Sequence, residues 1–148
     1  SVLEILLVDR KMQRDIFLAG RPVRKGWMSS RYGHRVDPIT GRRAMHYGVD
    51  FAGKYSADVI AVAAGVVVYA EEKSGYGKMV EINHGGGYST RYGHHKELVV
   101  KVGDIVRKGE VVGLMGSSGR STGPHVHYEV FKNGRIVDPA TYIQRASR

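Results

Sequence analysis

The chain has 148 residues, enough for one domain with its own core, and its 42% hydrophobic and 25% charged residues are ordinary for a soluble globular protein. It contains no cysteine, which excludes disulfides and cysteine-ligated zinc, and no apolar run approaches the length of a membrane span. The formal net charge of +9 fits an anionic partner such as nucleic acid, an acidic membrane face or a wall polymer bearing carboxylates, and it fits equally a basic surface with no specific partner.

The first segment, Ser1 to Ala19, is predicted to be a helix, because its apolar residues recur at helical spacing and the pair Gly20 and Pro22 follows as a stop signal. We expect its apolar stripe to pack on the domain or on sequence outside this chain. The sequence shows no signal peptide and starts without methionine, which suggests a piece of a longer protein, with an upstream anchor as one option. We therefore predict a lead-in over residues 1–20 and the main domain over 21–148.

After Pro22 the pattern changes to short runs of period two separated by glycines, of which the chain has 20, about twice the usual share. The runs "DVIAVAAGVVVYAEE", "KMVEIN", "GYSTRYGH", "EVVGLMG" and "HVHYEVF" are typical of strands. "HGGG" predicts a hairpin connection, and "NGR" predicts a turn into a short final strand. Because no strand alternates with a long helix, the fold class is predicted to be all-β after a short N-terminal helix.

The run "HVHYEVF" places two histidines two residues apart, and side chains at that spacing share one face of a strand. His125 and His127 therefore lie on one polar face together with Glu129, close enough for both imidazoles to reach one metal ion. The positions expected to face the core are Val126, Tyr128 and Val130.

A second constellation lies in "MHYGVDFAG", where His46 and Asp50 are four residues apart and share a face of an extended segment. Imidazole and carboxylate are both zinc ligands. With one histidine of the 125/127 pair they make three ligands and leave a position for water, as in a catalytic site. With both histidines, His46 and Asp50 make a closed structural site with four ligands. The spacing alone does not distinguish the catalytic site from the structural site.

The third piece, "STRYGHH", predicts a strand in which Tyr92 and His94 share a face, so that His95 points the other way or enters a loop. Tyrosines in strands are mostly packing residues, and Tyr92 is interpreted as one, with the wall of a groove as the alternative.

The segments "MHYGVDFAG", "TRYGHH" and "GRSTGPHVHYEV" together resemble, in order and spacing, the three motifs of the lysostaphin-like (LytM-type) zinc metallopeptidases, and the resemblance spans about residues 21–143. It implies a compact antiparallel β-sheet fold, barrel- or sandwich-like, with the site in a groove. It implies one zinc ion per chain held by His46, Asp50 and His127, with His94 and His125 as catalytic histidines.

The resemblance also implies a function, the hydrolysis of peptide cross-links in bacterial peptidoglycan. The segments "SSRYGHRVDPITG" and "GRSTGPHVHYEV" are more similar to the Gram-negative members, which cut between D-alanine and diaminopimelate, than to those that cut glycine bridges. The expected partners are peptidoglycan stem peptides, whose carboxylates suit the basic charge, and the expected location is the periplasm or cell envelope. Some members have lost ligands and only activate another wall hydrolase, an alternative that retention of all five positions disfavours.

Several residues remain outside the motifs. His95 stands where a Leu or Asn is expected and is predicted to lie at the groove edge, and Glu129 is a candidate to orient one of the strand histidines. His34 is interpreted as a polar loop residue and His84 as part of a turn.

Lys78 and the turn "VKVGDIVRKGEVV" weakly resemble a lipoyl or biotinyl carrier. Nucleic-acid binding is not expected, since the sequence shows neither a basic-aromatic array nor a helix suited to a major groove.

Overall fold

The computed structural model describes residues 1–117 and 123–145, and this part of the chain forms two helices and twelve strands. The helices are α1 (Val2–Asp15) and α2 (Ala140–Gln144). The strands are β1 (Trp27–Ser30), β2 (Gly33–Val36), β3 (Arg43–His46), β4 (Val49–Ala52), β5 (Asp58–Ile60), β6 (Gly65–Lys73), β7 (Gly77–Gly85), β8 (Tyr88–Leu98), β9 (Ile105–Val106), β10 (Val111–Met115), β11 (His125–Lys132) and β12 (Arg135–Val137).

The strands form one large antiparallel sheet in the order β1-β4-β11-β8-β7-β6-β9, with β10 paired to β5 and β8 and with β12 paired to β11. A separate two-stranded sheet joins β2 and β3. The predicted all-β class is therefore confirmed, including the final turn from β11 into β12. Strand β11 lies between β4 and β8, and this arrangement brings the three sequence motifs together.

The hairpin between β7 and β8 forms where the glycine run predicts it. Gly85, Gly86 and Gly87 have φ values of +78°, +60° and +86°, a backbone region that side chains with a Cβ rarely enter. The turn sends β8 back along β7, from Tyr88 opposite Gly85 to His95 opposite Lys78. It thereby delivers the segment that contains His94 to the centre of the sheet.

The core lies on one side of the large sheet, and its residues come from the inward positions of the strands. Val126, Tyr128 and Val130 of β11 are fully buried, which confirms the face predicted for them. The rings of Tyr128 and Tyr92 pack with centroids 5.5 Å apart. Because this face is apolar, the alternate residues of β11 must point to the opposite side, where the polar groups gather.

The N-terminal helix is shorter than the predicted Ser1–Ala19 and ends at Asp15. Its N-cap is Ser1, whose side chain accepts a hydrogen bond from the Glu4 amide. None of its residues is buried, so the apolar stripe does not pack on the described part of the domain. Leu18 and Ala19 instead leave the helix and enter the core, at 2% and 3% exposure. The predicted boundary between residues 20 and 21 remains a prediction.

No helix among residues 1–117 and 123–145 combines the length and the apolar character needed to cross a bilayer.

Candidate metal and catalytic site

Three of the candidate side chains converge on the polar side of the sheet. Asp50 in β4 lies directly opposite His127 in β11, and the carboxylate Oδ1 is 2.8 Å from His127 Nδ1. His46 is the last residue of β3, and its Nε2 lies 3.5 Å from Asp50 Oδ2. One ligand atom from each residue lies within 4.8 Å of the other two, a spacing that one metal ion can bridge.

The outer nitrogens of both imidazoles are occupied by acceptors, which leaves the inner nitrogens turned to the common centre. His46 Nδ1 donates to the Arg31 carbonyl at 2.9 Å, and His127 Nε2 donates to Glu129 Oε2 at 2.9 Å. Metal-bound histidines in proteins make such outer hydrogen bonds, which fix the tautomer and the ring orientation. The donor set of two imidazoles and one carboxylate fits zinc, and Glu129 makes the contact predicted for it.

Burial and hydrogen bonding shift the acid–base properties of this group of side chains. Burial opposes ionisation of Asp50, but hydrogen bonds from His127 and His46 outweigh it and lower the pKa of the carboxyl group. Burial likewise opposes protonation of His127, but its bonds to Asp50 and Glu129 raise the pKa to about 9. Asp50 therefore presents a carboxylate at neutral pH, which is the form that binds metal.

The two candidate catalytic histidines lie beside this centre. The rings of His94 and His125 are 4.8 Å apart between centroids, and His94 lies 6.1 Å from the His127 ring. Nδ1 of His125 donates to the Gly123 carbonyl at 3.2 Å, so a neutral His125 ring carries its lone pair on Nε2. Burial, together with the neighbouring His125 and His127, lowers the pKa of His94 to about 4.

The predicted direction of His94 was wrong. Simple alternation puts it on the face of Tyr92, which is the core face, whereas His94 points to the polar side together with His127. The reason is an irregularity in the β7–β8 pairing between Val80 and Lys78, where His94 takes a φ of +66°. Such a bulge adds one residue to the strand and changes the side to which the next side chain points.

Tyr92 is a fully buried packing residue, as favoured for a strand tyrosine, and does not form the wall of a groove. Three other residues differ from their sequence-based interpretations. His95 is not at a groove edge, since it is 3% exposed and its Nδ1 donates to the Lys78 carbonyl at 3.0 Å. His84 is not merely a turn residue but is buried at the end of β7, and His34 is exposed on β2 and not in a loop.

Two residues near the site were missed by sequence reasoning. Tyr76 donates its hydroxyl to Glu129 Oε1 at 2.8 Å, and Arg35 places a guanidinium nitrogen 3.9 Å from Asp50 Oδ2. Neither residue lies within the three motifs. Tyr76 lies between the glycines of "SGYG", which marks a turn, but nothing local indicates which element that turn packs against.

Glycine at position 48 allows the close packing behind the metal ligands. A Cβ at this position would lie 2.6 Å from the Tyr128 carbonyl and 2.7 Å from the His127 ring. The part of the third motif from Gly119 to Thr122 lies outside the described residues.

Residues 44–139 match the sequence profile of peptidase family M23. Among curated relatives, the peptidoglycan DD-endopeptidase ShyA of Vibrio cholerae is 42% identical over 119 residues, which are 79% of this chain and 28% of ShyA. The chain thus spans little more than a quarter of the length of that relative. Because the matched region exceeds half of the chain, the protein belongs to peptidase family M23, and the resemblance noted in the three motifs is confirmed.

Two solved structures share the fold. A zinc-containing peptidase from Vibrio cholerae superimposes with a TM-score of 0.76 at 34% identity, over 88% of this chain and 40% of that one. The catalytic domain of the antimicrobial peptidase lysostaphin from Staphylococcus simulans superimposes with a TM-score of 0.71 at 32% identity, over 80% of this chain and 92% of that domain. The described residues therefore share the fold of these two peptidases.

Proposed function

We propose that the protein is a zinc-dependent endopeptidase that hydrolyses peptide cross-links of bacterial peptidoglycan, with the bond between D-alanine and diaminopimelate as the preferred target. The observation that carries the proposal is the convergence of His46 Nε2, an Asp50 oxygen and His127 Nδ1 on one point. The DD-endopeptidase name of the relative from Vibrio cholerae supports the substrate, and the zinc in the neighbouring structure supports the metal.

His46, Asp50 and His127 would hold the ion, and when bound it would lower the pKa of a coordinated water and polarise the scissile carbonyl. The protein itself contributes orientation. The Arg31 carbonyl fixes the His46 ring, and Glu129 fixes the His127 ring, so both inner nitrogens are preorganised.

His94 and His125 are proposed to move protons at the reacting bond. Their rings lie side by side, and Nε2 of a neutral His125 can accept a proton, since its Nδ1 hydrogen is directed to the Gly123 carbonyl. The imidazolium that forms once either ring has accepted a proton can stabilise negative charge on the carbonyl oxygen or protonate the leaving amine. A groove runs past His125 and is lined by Trp27, Ser29, Ala52, Gly53, Gly123 and Pro124. We propose that the peptide lies in this groove.

The net charge of +9 supports a substrate that bears carboxylates, and we propose the periplasm or cell envelope as the place of action. The alternative of a non-catalytic activator is less well supported, because all five side chains are present and grouped. The carrier hypothesis also loses support, since Lys78 lies within β7 and its amine donates to the Lys96 carbonyl at 3.1 Å.

The test separates metal binding from catalysis. Purified protein is expected to contain about one zinc per chain and to release soluble muropeptides from cross-linked sacculi. His127→Ala should lose the zinc and the activity, whereas His125→Ala should keep the zinc and lose at least about 100-fold in turnover, the scale of general acid–base catalysis. Metal analysis and a chromatographic muropeptide digest measure the two effects.

His34→Ala is the matched control, because His34 is an exposed histidine on β2. It should retain both zinc and activity. Retained turnover in both site variants would overturn the assignment. Sacculus binding without cleavage in zinc-replete buffer, together with stimulation of a separate amidase, would favour the activator.

A further inference from the structure

Glu129 is a buried carboxylate whose two oxygens have different partners. Its side chain is 5% exposed, and Oε2 accepts from His127 Nε2 at 2.9 Å. Oε1 accepts from the Tyr76 hydroxyl at 2.8 Å. The orientation of the His127 ring therefore depends on a carboxylate that Tyr76 holds from its other side.

The hydroxyl of Tyr76 is itself directed by Arg91. Arg91 Nη1 donates to the Tyr76 hydroxyl at 3.1 Å, while its Nε donates to Glu81 Oε1 at 2.6 Å. A guanidinium cannot accept a hydrogen bond, so the phenolic hydrogen must point away from Arg91 and toward Glu129. The guanidinium also lies over the rings of Tyr76 and Phe131, with centroid distances of 5.5 Å and 4.6 Å.

The main chain of Tyr76 attaches the turn between β6 and β7 to the segment of β8 that contains His94. Its carbonyl accepts from the amide of His94 at 2.7 Å, at the residue with the φ of +66°. The turn between β6 and β7 is thus attached to the bulge in β8. This attachment sets the position from which the Tyr76 side chain reaches Glu129.

We propose that Tyr76 is a positioning residue for the metal centre: backed by Arg91, it holds Glu129 so that His127 keeps its Nε2 hydrogen outward and presents Nδ1 to the point that it shares with His46 and Asp50. The inference rests on the proposed function, since it takes His127 as a metal ligand. It extends that function to a residue about fifty positions from His127 in the sequence and outside the three motifs.

Zinc affinity is the first readout. Tyr76→Phe removes only the hydroxyl that holds Glu129 and should weaken zinc binding by about 10-fold, the lower end of the usual effect of losing a direct outer partner of a metal ligand. Competition with a chromophoric zinc chelator measures it on the whole chain. Tyr69→Phe is the matched control, because Tyr69 lies on the same hairpin and its exposed hydroxyl donates to the Glu72 carbonyl at 2.8 Å.

A double-mutant cycle distinguishes positioning through Glu129 from a general loss of structure. Glu129→Gln should weaken zinc binding at least as much as Tyr76→Phe, and in the Glu129→Gln background the further change Tyr76→Phe should have much less effect. A purely structural role of Tyr76 gives additive losses and leaves the electronic spectrum of the cobalt-substituted protein unchanged.

The outcomes separate this inference from the proposed function. If the wild type binds no zinc, or if His127→Ala binds it as tightly as the wild type, the ligand assignment fails. If the wild type binds zinc, His127→Ala does not, and Tyr76→Phe behaves like Tyr69→Phe, only the role of Tyr76 is overturned. Should Tyr76→Phe fail to fold, unchanged zinc affinity in Glu129→Gln overturns the inference in the same way.

Discussion

At the residue scale, the histidines of this chain differ sharply in their surroundings. Burial lowers the pKa of His84 and His95 to about 4, and the main-chain carbonyls to which each ring donates oppose that shift only in part. His127 is also buried, but its two carboxylate neighbours raise its pKa to about 9. Burial alone therefore does not determine the charge of an imidazole. The hydrogen-bond partner decides it, because carboxylates raise the pKa of a buried ring far more than main-chain carbonyls do.

His84 predicts a specific loss of stability in acid. A neutral His84 donates Nδ1–H to the Ala64 carbonyl at 2.7 Å and accepts at Nε2 from the Thr90 hydroxyl at 2.7 Å. Its folded pKa of about 4 lies below the ordinary 6.5, so the unfolded chain binds more protons between these values. The contribution of His84 is complete above pH 6.5 and declines toward pH 4, by about 2 kcal/mol between pH 7 and pH 5.

Urea unfolding at pH 7 and pH 5 measures this effect. His84→Gln should reduce the free energy of unfolding at pH 7, because the buried contacts change. It should also reduce the loss of unfolding free energy between pH 7 and pH 5 by about 2 kcal/mol. His34→Gln is the control, because that histidine is exposed, and it should leave the slope unchanged. An equally steep decline in His84→Gln would show that other groups cause the acid sensitivity.

At the scale of elements, the site depends on the register of β4, β11 and β8. Asp50 pairs with His127, and His127 pairs with Gly93 on its other side. Because side chains alternate along a strand, a slip of one residue would move His127 to the core face and abolish the site. The apolar residues Val126 and Tyr128 prevent that slip, so the packing of the core maintains the positions of the metal ligands.

The N-terminal segment is predicted to stabilise the domain through the residues that follow α1, and not through α1 itself. Leu18 is 2% exposed in the core, so Leu18→Ala should cost about 2–5 kcal/mol, the usual range for a buried leucine. Deletion of residues 1–14 should change stability by no more than about 0.5 kcal/mol, since α1 buries no side chain. Urea unfolding compares the two variants.

Leu6→Ala serves as the matched control for this pair, because Leu6 is a helix leucine with 57% exposure. It should lie close to the wild type. A deletion that destabilises the domain as much as Leu18→Ala would show that the helix packs on the domain after all.

At the scale of the whole molecule, the candidate metal site connects strands that are distant in the sequence. His46 and Asp50 come from adjacent strands near the start of the domain, and His127 comes from a strand near its end. A bound ion would join these parts only in the folded state. Metal binding should therefore stabilise the entire domain.

Zinc at 1,000 times its dissociation constant should raise the free energy of unfolding by about 4 kcal/mol. Thermal unfolding with zinc and with a chelator measures the increment. His127→Ala should lose it, whereas His125→Ala should retain most of it, since His125 is proposed to act on the substrate. An increment of equal size in both variants would place the zinc elsewhere.

Local sequence patterns were enough to predict the candidate residues and the strands that carry them. Alternation in "HVHYEVF" assigned the polar and apolar faces correctly, and the glycine run predicted the β7–β8 hairpin, because both features are local. The three motifs also indicated the family. These conclusions need only the period of a strand and the spacing of side chains along it.

The way in which those residues meet became visible only in the folded domain. Alternation failed at His94, where a bulge reverses the side chain, and it could not show that His95 and Tyr92 are buried. Nor could it show that the turn containing Tyr76 supports Glu129 from across the sheet. Strand register, bulges and turn packing are set by contacts between segments that are distant in the sequence, and no local pattern contains those contacts.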